Sequence, residues 1–236
     1  MPDPVPEPSI EQRSAPPPAD RFAASLRGFG PLGILAMLVI LAGNLVVIPL
    51  SALLVLAWVR WSRTPWSRIG YVRPRSWIGT VAVGLLFGVA FKLLMKIVVM
   101  PLLGADPINR AYHYLVGNAA AVPGMLYAMI VGAGFGEETV FRGYLFERLG
   151  KLLGHGVSAK TVIVAVTSAL FGLVHYPAQG LAGAEQATIA GLVYGTIFAA
   201  TGRIWMLMCA HAAFDLTALA IIYWDLEADL AHLIFK

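Results

Sequence analysis

Glu137 and Glu138 stand side by side, with Arg142 five residues after the first, in a run that is otherwise almost wholly apolar. Ionised groups at membrane depth cost about a few kcal/mol each or more, so such a cluster is expected to be used. Glu138 and Arg142 are four residues apart, which puts them on one helical face in the favourable order for an ion pair. Glu137 is expected about 100° away, facing a different space. One acid is then neutralised and oriented while the other is left to activate water as a general base. Two later apolar runs each carry a histidine, His175 and His211, and Asp215 follows His211 by four residues. Asp215 is placed to fix the tautomer of that imidazole. Two histidines with a carboxylate also suit a divalent metal such as zinc, with His175 and His211 as candidate ligands, although no His-Glu-x-x-His helix is present. The alternative to chemistry is a buried ion network that merely braces the bundle. Such networks are often replaced by apolar residues without loss of stability, which makes bracing a weak reason to keep one.

Positioning these groups falls to a membrane bundle. Of the 236 residues 58% are hydrophobic and 13% charged, against about 25% charged in soluble domains, and mean hydropathy is +0.75. The expected fold is an all-α, polytopic bundle of about six spans. The first runs from Pro31 to Val59 with a kink near Pro49, and the second from Trp77 to Leu103. The third covers Val122 to Leu149 and holds the acid pair. The fourth, Ala159 to His175, stops at Tyr176-Pro177; the fifth and sixth are Glu185 to Thr201 and Ile204 to Trp224. Residues 1–29, with Pro16, Pro17 and Pro18 in a row, read as a disordered tail, and residues 30–236 as the transmembrane domain.

Charge sets orientation. The net charge of +4 comes from arginines and lysines in loops beside the spans, which argues for membrane topology and against a nucleic-acid partner. Arg60, Arg63, Arg68, Arg73 and Arg75, then Arg148, Lys151 and Lys160, then Arg203, all fall on one side. The positive-inside rule makes that side cytoplasmic and puts both termini outside. Measured from these loops, Glu137 lies about ten residues deep and His211 about eight, or roughly 15 and 12 Å, while His175 at about fifteen residues is higher. The three groups can meet within the membrane. Lower expectations attach to Lys92 and Lys96, which should snorkel to the outer interface, and to Gly132, Gly134 and Gly136, which should allow close helix packing. Asn44 is a candidate interhelical hydrogen-bonding group, and His113, His155 and His232 are expected in solvent. The single cysteine, Cys209, excludes an intramolecular disulfide.

The three clusters resemble the motifs of the CPBP family, which includes the type 2 CAAX prenyl proteases and the bacteriocin-processing or immunity proteins. Glu137-Glu138-Thr139-Val140-Phe141-Arg142-Gly143 is similar to the first motif, two glutamates, three residues, arginine, glycine. Phe171 to His175 resembles the second, and His211 to Asp215 the third, whose last position is usually asparagine. The resemblance covers residues 122–224. It implies an intramembrane endopeptidase in which Glu137 activates water with help from His175, and Glu138 and Arg142 support the site. His211 and residue 215 would stabilise the oxyanion, or His175 and His211 would bind a metal. An aspartate cannot donate to an oxyanion unless protonated, so Asp215 favours a metal-binding or histidine-orienting role. The implied partners are a peptide or membrane-protein substrate and the lipid bilayer, and the implied location is a bacterial plasma membrane, crossed several times. A non-catalytic scaffold or immunity factor, binding a peptide or partner through the same cavity, is the competing reading.

Overall fold

The computed structural model describes residues 18–235, all of whose regular structure is helical. The first seventeen residues of the tail expected to be disordered lie outside the described residues. The rest of that tail departs from the expectation: Pro18–Arg27 forms a helix, α1. A proline at its first position and Asp20 in the first turn suit a helix start. Ala23 and Leu26, three apart, are buried, and the Trp58 indole donates to the Leu26 carbonyl at 3.1 Å. Proline-rich composition hid a short face that finds its partner 32 residues away, at Trp58.

The run from Pro31 to Val59 is not one kinked span. Helices α2 (Pro31–Ala42) and α3 (Leu50–Ser62) double back on each other. A Cβ on Gly43 would lie 2.8 Å from the Ser51 nitrogen, so the turn needs that glycine. Asn44 and Ser51 then bond reciprocally, the Asn44 N–H to Ser51 Oγ at 2.9 Å and the Ser51 N–H to Asn44 Oδ1 at 3.0 Å. At 12 and 13 residues each arm is roughly 18–20 Å long, short of the roughly 30 Å hydrocarbon core.

This hairpin corrects the expected topology. Asp20 pairs with Arg63, and Arg148 donates to the carbonyls of Arg27 and Gly28, each at 2.8 Å. Helix α1 therefore sits at the same end as the basic loops, whereas the C-terminal segment lies at the other. The expectation of both termini at the end opposite the basic loops fails for the N-terminal helix, because α2 and α3 return the chain to the end from which α2 starts.

Among the described residues three helices are long and apolar enough to cross a membrane: α4 (Trp77–Leu102), α6 (Val157–Thr201) and α7 (Trp205–Tyr223). Between α4 and α6, residues 122–153 form α5, and Glu227–Ala231 is α8. The 45-residue α6 is folded in two at Gly180, whose φ of 65° favours glycine. Its arms, 157–179 and 181–201, pack antiparallel, with Gly172 against Thr188 and Gly191 against Ser168. The first arm thus continues through Tyr176-Pro177, where the sequence predicted its end, because the reversal waits for Gly180.

Helices α4 and α7 touch backbone to backbone. A Cβ on Gly88 would sit 2.1 Å from the Ala210 carbonyl oxygen, and one on Gly84 2.6 Å from Cys209 Cβ. Small residues at such seams are what lets apolar helices associate in lipid. Gly88→Val should therefore wedge α7 outward and destabilise the bundle by about 1–3 kcal/mol, read as a lower Tm in detergent. An unchanged Tm would mean that the seam is looser than described.

Candidate active site

Helix α5 does not follow regular α geometry. Ala128–Glu137 and Thr139–Tyr144 make wide turns with i→i+5 hydrogen bonding, a form that recurs at functional sites. Gly134 allows α5 to close on α7: a Cβ there would lie 2.9 Å from both the Met208 carbonyl oxygen and Ala212 Cβ. The approach brings the acid pair against the helix that carries His211. Thr139 is pinned as well, bonding to the Phe135 carbonyl at 2.6 Å and to the Tyr71 hydroxyl at 2.8 Å. Burial, outweighing that hydrogen bond, pushes the Tyr71 phenol up to about 12, so it keeps its proton. The basic loop is thus tied to the middle of α5.

The two glutamates have different surroundings, as the sequence predicted. Glu138 is fully buried, and its Oε1 accepts from Arg142 Nη1 at 2.9 Å and from His211 Nδ1 at 2.8 Å. With Arg142 holding Glu138 as an acceptor, the His211 hydrogen belongs on Nδ1. The Arg142 guanidinium lies 4.7 Å from the Phe171 ring centroid and 5.5 Å from that of Tyr194. Glu137 keeps 27% of its side chain exposed, into a cavity of about 250 Å³. Its Oε2 is 3.7 Å from His211 Nε2 and has no hydrogen-bond partner among the described residues.

His175 joins the same cavity. Its Nδ1–H donates to the Phe171 carbonyl at 2.7 Å, since a carbonyl only accepts, which leaves Nε2 free. Phe171 stands between the histidines, its centroid 4.6 Å from His175 and 5.9 Å from His211. Asp215 also lines the cavity, with Oδ2 3.8 Å from His211 Nε2, too far for a hydrogen bond. All six residues singled out from the sequence are therefore in one cluster: Glu137, His175, His211 and Asp215 at the cavity wall, Glu138 and Arg142 sealed behind it. Among the described residues no group of three His, Cys, Asp or Glu side chains is arranged to hold a metal ion.

Other cavity residues were not foreseen. Lys92, expected to snorkel outward, is buried and donates to Gln186 Oε1 at 2.9 Å, with its ammonium 4.9 Å from the Phe214 centroid. Lys96 lies outside this cavity and meets Glu227 at 3.2 Å, at the end of α4 away from the basic loops. The single signal in the sequence was their presence in an apolar run, which fits a snorkelling lysine equally well. Tyr112, from the loop after α4, meets Gln179 at 3.3 Å over the cavity, and burial followed by the charge of Asp215 holds its phenol above the usual range. It is a neutral hydroxyl. His113, His155 and His232 are exposed, as expected.

Comparison with known families matches residues 119–217 to the model described as type II CAAX prenyl endopeptidase Rce1-like. Comparisons with curated proteins and with solved structures give no match. The matched segment holds the acid pair, both histidines and Asp215.

Proposed function

We propose, from the match of residues 119–217 to the type II CAAX prenyl endopeptidase Rce1-like model, that the chain is an intramembrane endopeptidase in which Glu137 activates the attacking water. The observation that carries this reading is that Glu137 stands at the cavity wall with its buried Oε2 3.7 Å from an imidazole nitrogen and without a hydrogen-bond partner among the described residues. A water in the cavity beside the Glu137 carboxyl group would pass its proton to Glu137 as its oxygen adds to the peptide carbonyl carbon. The carbonyl π bond becomes an oxyanion, which His211, as imidazolium, meets through Nε2–H. Nε2 of His175 assists the water from the opposite arm. The C–N bond then breaks, and the proton held by Glu137 goes to the departing amine.

Glu138 and Arg142 act through His211 and do not touch substrate. The carboxylate fixes the ring by its hydrogen bond at Nδ1, and Arg142 balances the buried charge. Asp215 replaces the amide more usual at that position, and it serves His211 rather than the oxyanion, since an ionised carboxylate has no proton to donate.

The test is hydrolysis itself. Full-length protein in neutral detergent, given a library of quenched fluorescent peptides, should cleave some of them at internal bonds, as read by mass spectrometry. It should do so equally after dialysis against a chelator. A folded preparation that cleaves nothing, in detergent and in liposomes alike, would sink the proposal. Activity lost with chelator and restored by zinc would replace Glu137-activated water with a metal-bound one.

A further inference from the structure

A second cavity, of about 620 Å³, lies at the basic end, where α6 begins and finishes. Its walls bring Arg27, Arg68, Lys151 and Lys160 together from α1, the loop after α3, α5 and α6, with Glu147 as the one carboxylate. The cations are not used up by the fold. Lys160 Nζ donates once, to the Ala199 carbonyl at 2.7 Å, and Lys151 Nζ once, to the Arg27 carbonyl. Each ammonium has two further N–H donors. The Arg68 guanidinium is exposed and makes no hydrogen bond among the described residues. Converged cations with donors to spare suit a phosphate group.

The cavity continues into something of opposite character. A groove of about 450 Å³ runs between the two arms of α6, lined by Val157, Val164, Ala165, Leu192 and Thr196. It shares Lys160, Ala199 and Ala200 with the cationic cavity, so the two are one continuous depression. Val157 at its rim is 83% exposed, on a helix apolar enough to cross a membrane. A free phosphate would fill the first part and leave the second bare. A diacyl lipid without net charge would fill the second and leave the cations unmatched.

We propose that this pocket and groove together bind an anionic phospholipid, with its phosphate group among Arg68, Lys151 and Lys160 and an acyl chain between the arms of α6. The site lies where both arms of α6, a helix apolar enough to cross a membrane, come to their ends, the kind of place where basic pockets between helices meet lipid headgroups. It is separate from the Glu137 cavity, with no lining residue in common.

Native mass spectrometry of the full chain in neutral detergent tests this with three probes: dioleoyl phosphatidylglycerol, dioleoyl phosphatidylcholine and inorganic phosphate. Phosphatidylglycerol should be retained severalfold over phosphatidylcholine and should raise Tm, and inorganic phosphate alone should do neither. The Arg68→Gln, Lys160→Gln double variant should lose the preference while melting as before without lipid. Equal retention of the two lipids overturns the proposal, and a Tm rise of the same size with phosphate alone reduces the site to an anion pocket and overturns it too. A photoactivatable acyl chain on phosphatidylglycerol supplies a readout on the unsubstituted protein, should the variant misfold. Cross-links are expected in residues 157–165 and 192–200. Label confined to other helices would refute the assignment.

Discussion

Glu137→Gln should lower peptide cleavage on the order of 10²–10⁴-fold, the usual share of a positioned general base, with little change in Tm. Glutamine keeps the shape of the side chain and its place at the cavity wall. What it removes is the lone acceptor that can take a proton from water, and no protein contact goes with it, because Oε2 has no partner among the described residues. The loss should fall on kcat more than on KM, since the group is needed in the transition state and not for holding a peptide. A competing account, in which the cavity only binds a peptide or partner, makes the opposite prediction: binding survives, and there is no turnover to lose. Single-turnover cleavage by both proteins, with circular dichroism to check folding, distinguishes them. A folded Glu137→Gln protein that cleaves at the rate of the unsubstituted one would remove Glu137 from the reaction.

The site was more legible than the frame around it. Charge in an apolar run is conspicuous, so Glu137, Glu138, Arg142, His211 and Asp215 could be picked out without coordinates, and their clustering follows from the cost of leaving them in lipid. The separate surroundings of the two glutamates also followed from helical spacing, although the wide turns of α5 set the actual angle between them. The hairpin of α2 and α3 was not legible. Its signals are one glycine, one asparagine and one serine inside a run of apolar residues long enough for a span, and hydropathy cannot tell a re-entry from a crossing. Lys92 was misplaced for a related reason: whether a lysine reaches out to an interface or inward to Gln186 depends on which neighbour packs beside it, and sequence spacing does not state that. The end of the first arm of α6 was not legible either, because Pro177 reads as a stop while the reversal sits three residues on, at Gly180.

The second large effect concerns stability and separates it from chemistry. Arg142→Met alone should cost about 3–5 kcal/mol, because it takes the guanidinium from the fully buried Glu138 carboxylate and leaves it with His211 alone. It also removes the cation stacked on Phe171 and Tyr194, and with it a further contribution of about 1–2 kcal/mol where such contacts are desolvated. Removing the acid as well, in a Glu138→Leu, Arg142→Met double variant, replaces the pair with apolar groups of similar length. Buried pairs treated in this way are often neutral, so most of the lost stability should return. Activity should not return with it. His211 Nδ1 would have no acceptor in Glu138, the ring would be free to turn, and Nε2 would no longer be held toward Glu137 and Asp215. Equilibrium unfolding of the unsubstituted, single and double proteins, each assayed for cleavage, reads both quantities. A double variant as unstable as the single would mean that the pair is kept for packing. One that cleaves at full rate would mean that Glu138 does not position His211, and that orienting this imidazole falls to Asp215 alone.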